Sequence, residues 1–283
     1  MFKNLNLGAL GHSVPFDQTV SLAKQYGFPG VDPDLGYLGA LAKSQSIQAA
    51  KDWFASTGLK IGGIGVAAKW RESDSDADFE ASLAHLKSDA DLAQALGCTR
   101  STTWIMPGSN KLNFYEHWNL IVPRLTKAAN ILAEHGLALG FEFVGPATTR
   151  ANFKHDFVHT MDGMRAFCAV VGKDNGNAGL LLDCFHLYTS KGLNSDIHFL
   201  DAKEVVYVHV NDARIGRTDE QQLDQEREMV AATGIIDIKG FMAALRKIGY
   251  DGPVTVEPFS KSVREMTPEA AAKLTSESLD KVM

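Results

Sequence analysis

The sequence predicts a single α/β domain, an eight-stranded (β/α)8 TIM barrel that occupies residues 1–283. Apolar, β-type runs alternate with helix-like stretches eight times along the chain, which indicates a parallel sheet. Glycine follows most of the predicted helices, where it adopts the left-handed cap at low cost. Four of the apolar runs end on Glu, Asp or His, and the strand ends of a parallel barrel meet at one face.

The predicted elements follow one another in strict alternation. The eight strands cover residues 5–10, 30–32, 60–67, 101–106, 138–144, 179–184, 205–211 and 253–257. The eight helices cover residues 16–26, 44–57, 76–96, 116–135, 160–171, 195–202, 238–248 and 268–281. Glycines at 27, 58, 97, 136, 172 and 249 end six of these helices. Pro123 lies inside the fourth helix, which predicts a kink or a later start there.

The composition argues against several classes of function. The net charge is −6 and no basic stripe is present, whereas a nucleic-acid binder needs cations to neutralise phosphates. No run of about 18 apolar residues predicts a membrane span, and the first residues lack the apolar core of a signal peptide. The odd cysteine count and the apolar neighbours predict reduced, buried thiols in a cytoplasmic protein. The cysteines are Cys98, Cys168 and Cys184.

Four metal-ligating side chains end four of the later predicted strands. They are Glu142, Asp183, His209 and Glu257. Because a barrel brings its strand ends to one face, we expect them to converge on one ion although they are far apart in sequence. Three carboxylates and one imidazole suit Mn²⁺, Mg²⁺ or Co²⁺ and tolerate Zn²⁺. The sequence therefore predicts one divalent metal ion as cofactor.

The same residues predict a reaction. Six-coordination would leave two positions for adjacent carbonyl and hydroxyl oxygens of a substrate, and the ion would stabilise the enediolate formed on proton removal. Glu142 and Glu257 lie on the fifth and eighth strands and could act as an acid/base pair on opposite sides of the substrate. Return of the proton to the same carbon is epimerisation. Return to the neighbouring carbon is aldose–ketose isomerisation.

Other residues at the predicted face are candidate substrate contacts, and each has a structural alternative. His186 could donate to a substrate oxygen or be a loop histidine. Arg214 could bind a sugar oxygen or phosphate through its fork, or be a solvated loop charge. His12 and Trp104 could contact a sugar, against a plain loop position and a packing role respectively. Asp212 is more readily explained as a structural partner than as a ligand.

With these residues in place, the chain resembles the sugar phosphate isomerase/epimerase superfamily, the xylose isomerase-like TIM barrels, over nearly its whole length. The matching segments are residues 27–32 (Gly-Phe-Pro-Gly-Val-Asp), 133–136 leading into 140–142, 182–186 (Leu-Asp-Cys-Phe-His), 208–212 (Val-His-Val-Asn-Asp) and 248–253 leading into 256–257. In the ketose 3-epimerases of this group, the positions matching the four candidate ligands hold a divalent ion, and the two Glu positions are also acid and base. Positions matching His186 and Arg214 contact substrate oxygens. The resemblance implies a sugar, keto-sugar or inosose as substrate.

Two segments depart from the pattern of the superfamily. Phe143 and Val144 follow the fifth-strand Glu, where many members have Asn-His. The loop 214–233 is long and charged, where many relatives carry a short Gly-rich turn. Both differences reshape the pocket, so neither the particular sugar nor its phosphorylation is predicted. An exposed barrel face would suit a homo-oligomer.

Two other functions stay open on the sequence alone. An inosose or keto-sugar dehydratase or lyase would use the same metal and base but expel a β-hydroxyl group. A non-catalytic sugar-binding barrel would keep only the pocket. The DNA-repair endonuclease branch of the fold is disfavoured, because it needs histidine ligands at early strand ends and the third predicted strand ends in Val66-Ala67-Ala68.

Overall fold

The computed structural model describes residues 1–283 and contains eleven strands. They are β1 (Phe2–Leu5), β2 (Gly30–Val31), β3 (Lys60–Ile61), β4 (Ile64–Gly65), β5 (Arg100–Ile105), β6 (Gly108–Ser109), β7 (Ala138–Phe143), β8 (His155–Asp156), β9 (Ala178–Asp183), β10 (Val205–Val210) and β11 (Pro253–Val256). Nine of them form one parallel sheet in the order β3-β2-β1-β11-β10-β9-β7-β5-β4. The two ends of this order, β3 and β4, are halves of one chain segment separated only by Gly62 and Gly63. The sheet therefore closes, and the predicted TIM barrel is confirmed.

Helices connect successive barrel strands. They are α1 (Phe16–Gln25), α2 (Leu35–Ser44), α3 (Ile47–Thr57), α4 (Asp76–Leu96), α5 (Phe114–Glu134), α6 (Ala147–Arg150), α7 (Met161–Val171), α8 (Cys184–Thr189), α9 (Ile238–Lys247), α10 (Lys261–Arg264) and α11 (Pro268–Leu279). α5 begins behind a capping box formed by Asn113 and Glu116 and continues through Pro123. The helix predicted at residues 195–202 is replaced by two short 3₁₀ turns, Asn194–Phe199 and Ala202–Glu204.

The prediction of a strand at residues 5–10 is wrong. β1 ends at Leu5, and the chain then turns because the side chain of Asn6 accepts a hydrogen bond from the N–H of Ala9. Leu7 and Leu10 are buried in this turn, so their apolar character reflects core packing and not a strand. The preceding residues take the strand position, where they pair with β2 and β11.

The third predicted strand, residues 60–67, is interrupted. The N–H of Gly63 donates to Oδ1 of Asp32 at 2.9 Å instead of to a neighbouring strand. A Cβ on Gly62 would overlap the side chains of Asp32 and Asn4. The interruption therefore makes room for an acidic side chain that enters the barrel from the end of β2.

Helix α2 is an element that the sequence analysis missed. Asp34 caps it by accepting a hydrogen bond from the N–H of Tyr37 at 2.9 Å. Two glycines, Gly36 and Gly39, lower the intrinsic helix propensity of this segment, so the sequence pattern does not reveal the helix.

The prediction of a left-handed cap at Gly172 is wrong, because the φ of this residue is −88°. Glycine is needed there for another reason, since a Cβ would meet Ala178.

One continuous apolar core joins the helices to the barrel wall. Phe167 on α7 packs edge-on against Phe141 on β7, with ring centroids 5.3 Å apart, and both are fully buried. Burial of each such side chain contributes roughly 1.5–3 kcal/mol. All three cysteines are buried free thiols, as predicted. None of the helices has the length and apolar content needed to cross a bilayer.

Candidate metal centre and cavity

The four predicted ligands converge at the carboxyl ends of the strands. Each offers one ligand atom, and these atoms all lie within 4.8 Å of one another. Glu142 and His209 lie within β7 and β10, Asp183 ends β9, and Glu257 follows β11 directly. The register explains the convergence, because Asp183 is paired with His209 across parallel strands. Parallel pairing of the strands therefore brings four residues that are distant in sequence to the same end of the barrel.

The electrostatics of this cluster favour a cation. Nδ1 of His209 lies 3.1 Å from Oε1 of Glu142 and 3.5 Å from Oε2 of Glu257. Burial opposes charge on the imidazole, but the two carboxylates outweigh burial and raise the pKa of His209 to about 10. Burial raises the pKa of Glu257 to about 7, although His209 opposes this shift. Both pKa shifts favour protonation within this group of three carboxylates, and a divalent ion would supply the compensating positive charge instead.

The donor set fits such an ion. Three carboxylates and an imidazole match the hard cations named above, and four ligands leave two positions of an octahedron for other groups. Asp183 is additionally fixed by surrounding donors. The N–H of Phe185 donates to its Oδ1 at 2.7 Å, and the carboxamide of Asn211 donates to both oxygens at 3.1 and 3.2 Å. Such outer contacts orient metal ligands.

Arg227 is a site residue that the sequence analysis missed. Its side chain is buried, and Nη1 lies 2.8 Å from Oδ2 of Asp183 and 3.3 Å from Oε2 of Glu257. The guanidinium is sandwiched between the rings of Phe185 and Phe259, 4.7 and 4.6 Å from their centroids. The φ of Phe259 is +39°, an uncommon value for a bulky residue, and such strain concentrates at functional sites.

His186 and Asp224 complete the surroundings of Arg227. Asp224 accepts from Nη2 of Arg227 at 2.7 Å, and Nε2 of His186 lies 3.2 Å from the same Nη2. Nδ1 of His186 is also 3.2 Å from the N–H of Gly145. A neutral imidazole has one acceptor nitrogen, so only one of these two contacts can be a hydrogen bond. His186 is thus buried beside the candidate ligands, not exposed in a loop.

A cavity of about 830 Å³ opens above the cluster. Glu142, His209 and Glu257 line it, and so does Asp32, which follows β2. Tyr207 lies between Asp32 and His209, because its hydroxyl is 2.9 Å from both carboxylate oxygens of Asp32 and its ring stands edge-on to that of His209, with the centroids 5.5 Å apart. The volume falls in the range of roughly 300–1,000 Å³ seen for small-molecule sites.

Residues 20–282 match the model of a known family, described as xylose isomerase-like TIM barrel. The chain belongs to this family. Among curated relatives of this xylose isomerase-like barrel, an inosose isomerase of Halalkalibacterium halodurans is 23% identical over 245 residues, which are 85% of this chain and 81% of the relative. A 3-dehydroshikimate dehydratase of Pseudomonas aeruginosa is 27% identical over 153 residues, 54% of this chain and 23% of that protein.

Solved structures agree with this assignment. A xylose isomerase domain protein from Alicyclobacillus acidocaldarius is 27% identical and superposes with a TM-score of 0.87 over 100% of this chain and 98% of its own. The IOLI protein, solved with a bound zinc atom, is 19% identical and superposes with a TM-score of 0.80 over 100% of this chain and 98% of its own. At such identity the second match shows the fold alone.

In this xylose isomerase-like barrel, the remaining predicted contacts fall into two groups. His12 and Trp104 both line the cavity; Nε2 of His12 is 3.1 Å from the carbonyl oxygen of Val263, and Trp104 is 49% exposed. Arg214 does not line the cavity. Its side chain is 51% exposed and pairs with Glu226 at 2.9 Å. The structure therefore brings Arg227, and not Arg214, to the candidate ligands.

Asp212 explains why the long loop reaches the site. Its buried carboxylate accepts four backbone hydrogen bonds, from residues at both ends of the loop 213–233 and just beyond it. The donors are Ala213, Thr233, Gly234 and Ile236, at 2.8–3.1 Å. The backbone of Asp212 also exchanges two hydrogen bonds with Glu228, the neighbour of Arg227. Asp212 thus has the structural role expected from the sequence.

Proposed function

We propose that this protein is a divalent-metal-dependent carbohydrate isomerase or epimerase that removes a proton next to a carbonyl group. The observation that carries the proposal is the set of four ligand atoms within 4.8 Å of one another, two of them from cavity-lining glutamates. The family supports an enzyme, and the inosose isomerase relative supports isomerisation of a sugar-like ketone.

Glu142, Asp183, His209 and Glu257 would hold the ion. When bound, it would supply a positive charge that polarises the substrate carbonyl and stabilises developing negative charge on its oxygen. The ligand set favours Mn²⁺, Mg²⁺ or Co²⁺, and the zinc in the IOLI structure supports Zn²⁺ as a fourth candidate. Reconstitution of the metal-free protein with each ion, followed by metal analysis and activity, distinguishes them.

The two glutamates would move the proton. Both approach the same imidazole nitrogen from β7 and from the end of β11, and both line the cavity. One carboxylate removes the proton to give an enediolate, and the other returns it to the same or the neighbouring carbon. The guanidinium of Arg227 and the imidazole of His186 lie behind these ligands and do not line the cavity, so they would hold Asp183 and Glu257 in position and not the substrate.

The direct test is solvent-deuterium exchange. The manganese-loaded protein should catalyse incorporation of deuterium next to the carbonyl of at least one ketose or inosose, observed by NMR. Glu142→Gln and Glu257→Gln should each reduce exchange at least about 100-fold, the usual contribution of a general base. Glu134→Gln, on the exposed end of α5, is the matched control and should keep full activity. No exchange over a broad panel contradicts the proposal.

A lyase is the second candidate, because one relative is a 3-dehydroshikimate dehydratase. Such an enzyme would begin with the same proton removal but then expel a β-hydroxyl group. The two reactions differ in their products, since elimination yields an unsaturated ketone that absorbs in the ultraviolet. Accumulation of that product, without an epimerised or isomerised sugar, would favour the lyase.

A further inference from the structure

The carboxylate of Asp183 is already fully hydrogen-bonded by other residues of the chain. Oδ1 accepts from the N–H of Phe185 at 2.7 Å and from the carboxamide of Asn211 at 3.1 Å. Oδ2 accepts from the same carboxamide at 3.2 Å and from Nη1 of Arg227 at 2.8 Å. A carboxylate has about four acceptor positions, so these contacts fill them. An ion that binds Asp183 must therefore displace one of the three donors.

Of these three donors, Arg227 is the one that a divalent ion displaces most readily. Phe185 donates through its backbone at the start of α8. Asn211 follows β10 directly, and its own N–H is bonded to Sγ of Cys184 at 3.4 Å. Both groups are neutral and are fixed at the ends of barrel strands. The guanidinium is a cation carried by a loop, so the charge of an ion repels it and not the other two donors.

The same guanidinium contacts a second candidate ligand. Nη1 of Arg227 lies 3.3 Å from Oε2 of Glu257, and that oxygen is 3.5 Å from Nδ1 of His209. One positive group therefore touches two of the four candidate ligands. In the metal-free protein it offsets the repulsion between the carboxylates of Asp183 and Glu257, and an ion among the ligands would offset the same repulsion.

Arg227 keeps other partners when it leaves these two carboxylates. Nη2 bonds Oδ1 of Asp224 at 2.7 Å, and Nε bonds the carbonyl oxygen of Asp224 at 2.9 Å. The rings of Phe185 and Phe259 lie on either side of the guanidinium. Because Asp224 is not a candidate metal ligand, its ion pair with Arg227 can persist beside a bound ion. Withdrawal from the ligands therefore does not leave an isolated buried charge, which would be strongly destabilising.

A second cavity, of about 620 Å³, gives the guanidinium room to withdraw. It is lined only by polar and charged side chains, which include Arg227 itself, its neighbours Glu226 and Glu228, and Ser260. It shares no lining residue with the cavity above the metal ligands. Phe259, which stacks on the guanidinium, lines that first cavity instead. The guanidinium can therefore turn away from the ligands without entering the space above them.

We propose that Arg227 is a placeholder for the divalent ion. In the metal-free protein it holds Asp183 and Glu257 together, and ion binding detaches it from both, so that the attachment of the loop 213–233 depends on metal occupancy. The inference rests on the proposed function, since it concerns regulation of the same metal centre. The guanidinium and the ion oppose each other, so each weakens the attachment of the other by the same factor.

Calorimetric titration of the metal-free protein with Mn²⁺ tests the competition. Arg227→Met should bind Mn²⁺ at least about tenfold more tightly than the wild type, because a neighbouring like charge weakens the binding of a cation by roughly one to three orders of magnitude, as it does for a proton. Weaker or unchanged binding by the folded variant overturns the proposal. Weaker binding is the result expected if Arg227 only positions the ligands.

Two further variants separate charge from packing. Arg227→Lys keeps a positive charge on the loop and should bind Mn²⁺ within about threefold of the wild type. Arg214→Met removes the same charge from a half-exposed position of the same loop and is the matched control, with an expected change of no more than about twofold. A lysine variant that binds Mn²⁺ as tightly as Arg227→Met overturns the competition of charges.

A structure of the manganese-loaded wild-type protein tests the detachment without any variant. Nη1 of Arg227 should lie beyond hydrogen-bond distance of Asp183 and Glu257, while Nη2 keeps its bond to Asp224. A guanidinium that still bonds Asp183 or Glu257 beside the bound ion overturns the proposal.

Failure of this inference is distinguishable from failure of the proposed function. Calorimetry needs no turnover, so tighter Mn²⁺ binding by Arg227→Met without deuterium exchange by the wild type would remove the isomerase and keep the competition. Deuterium exchange by the wild type, together with weaker Mn²⁺ binding by Arg227→Met, would keep the chemistry and remove the competition. A wild-type protein that binds no divalent ion removes both.

Discussion

Replacement of Arg227 by methionine separates the roles of the guanidinium and the metal ion. In the metal-free protein, this guanidinium is the main fixed positive charge beside the carboxylates of Asp183, Asp224 and Glu257. Methionine keeps the length and the packing between two phenylalanine rings but removes the charge. The variant therefore removes the guanidinium from three buried or half-buried acids, of which Glu257 keeps the imidazole of His209 3.5 Å away.

The magnitude follows from the burial of the pairs. Removing one partner of a buried ion pair costs about 3–5 kcal/mol. The pKa of Glu257 is already raised to about 7, so this residue can take up a proton and relieve part of the loss. We therefore expect Arg227→Met to lower the free energy of unfolding by about 3 kcal/mol without metal. With Mn²⁺ bound, the ion supplies positive charge at the same place, and the loss should fall to about 1 kcal/mol.

Urea unfolding followed by circular dichroism measures both values, once with EDTA and once with saturating Mn²⁺. Arg214→Met is the control, because Arg214 is half exposed and its pair with Glu226 should contribute no more than about 1 kcal/mol. A loss for Arg227→Met that is the same with and without Mn²⁺ would refute the reasoning. So would a control as destabilising as the test variant.

Two further predictions concern stability. The pKa of His209 is raised from 6.5 to about 10 without metal. The contribution of its positive charge to the free energy of unfolding is therefore complete below about pH 6.5 and is lost as the pH rises toward about 10. His209→Gln should therefore destabilise the EDTA-treated protein more at about pH 6 than at about pH 9.5, by at least about 1 kcal/mol in urea titrations; an equal loss at both values would show that the imidazole carries no such charge. Gly62→Ala should lower the free energy of unfolding by about 1–3 kcal/mol, because its Cβ would overlap Asp32. Gly65→Ala is the control: its Cβ would meet open space, so it should change the free energy of unfolding by no more than about 0.5 kcal/mol. Equal losses of stability in the two variants would contradict the close approach to Asp32.

The convergence of the four candidate ligands could be predicted because it depends on strand ends alone. Each of the residues Glu142, Asp183, His209 and Glu257 closes an apolar run, and parallel pairing fixes where such ends lie. This inference does not require the loops to be known. It also tolerates errors elsewhere, since the displaced first strand and the divided third strand leave the later half of the barrel unchanged.

Arg227 could not be predicted in the same way. It lies in a loop with two other arginines, Arg214 and Arg217, and nothing local shows which one turns inward. The choice is made by distant contacts, namely the backbone pairing of Asp212 with Glu228 and the ion pair with Asp224. Asp32 escaped notice for a related reason, because its place in the cavity depends on the break at Gly62 and Gly63 in another strand.

The four hydrogen bonds to Asp212 fix the two ends of the loop 213–233 next to each other. Both ends of the loop are joined at one carboxylate, so the length of chain between them can change while the attachment to the barrel stays the same. Arg227 and Asp224 are residues of this loop, whereas the candidate metal ligands belong to the strands of the barrel and their ends. An insertion or exchange within this segment that keeps Asp224 and Arg227 would leave the candidate metal ligands in place, so related chains can differ in the length of this loop without a change at the metal centre.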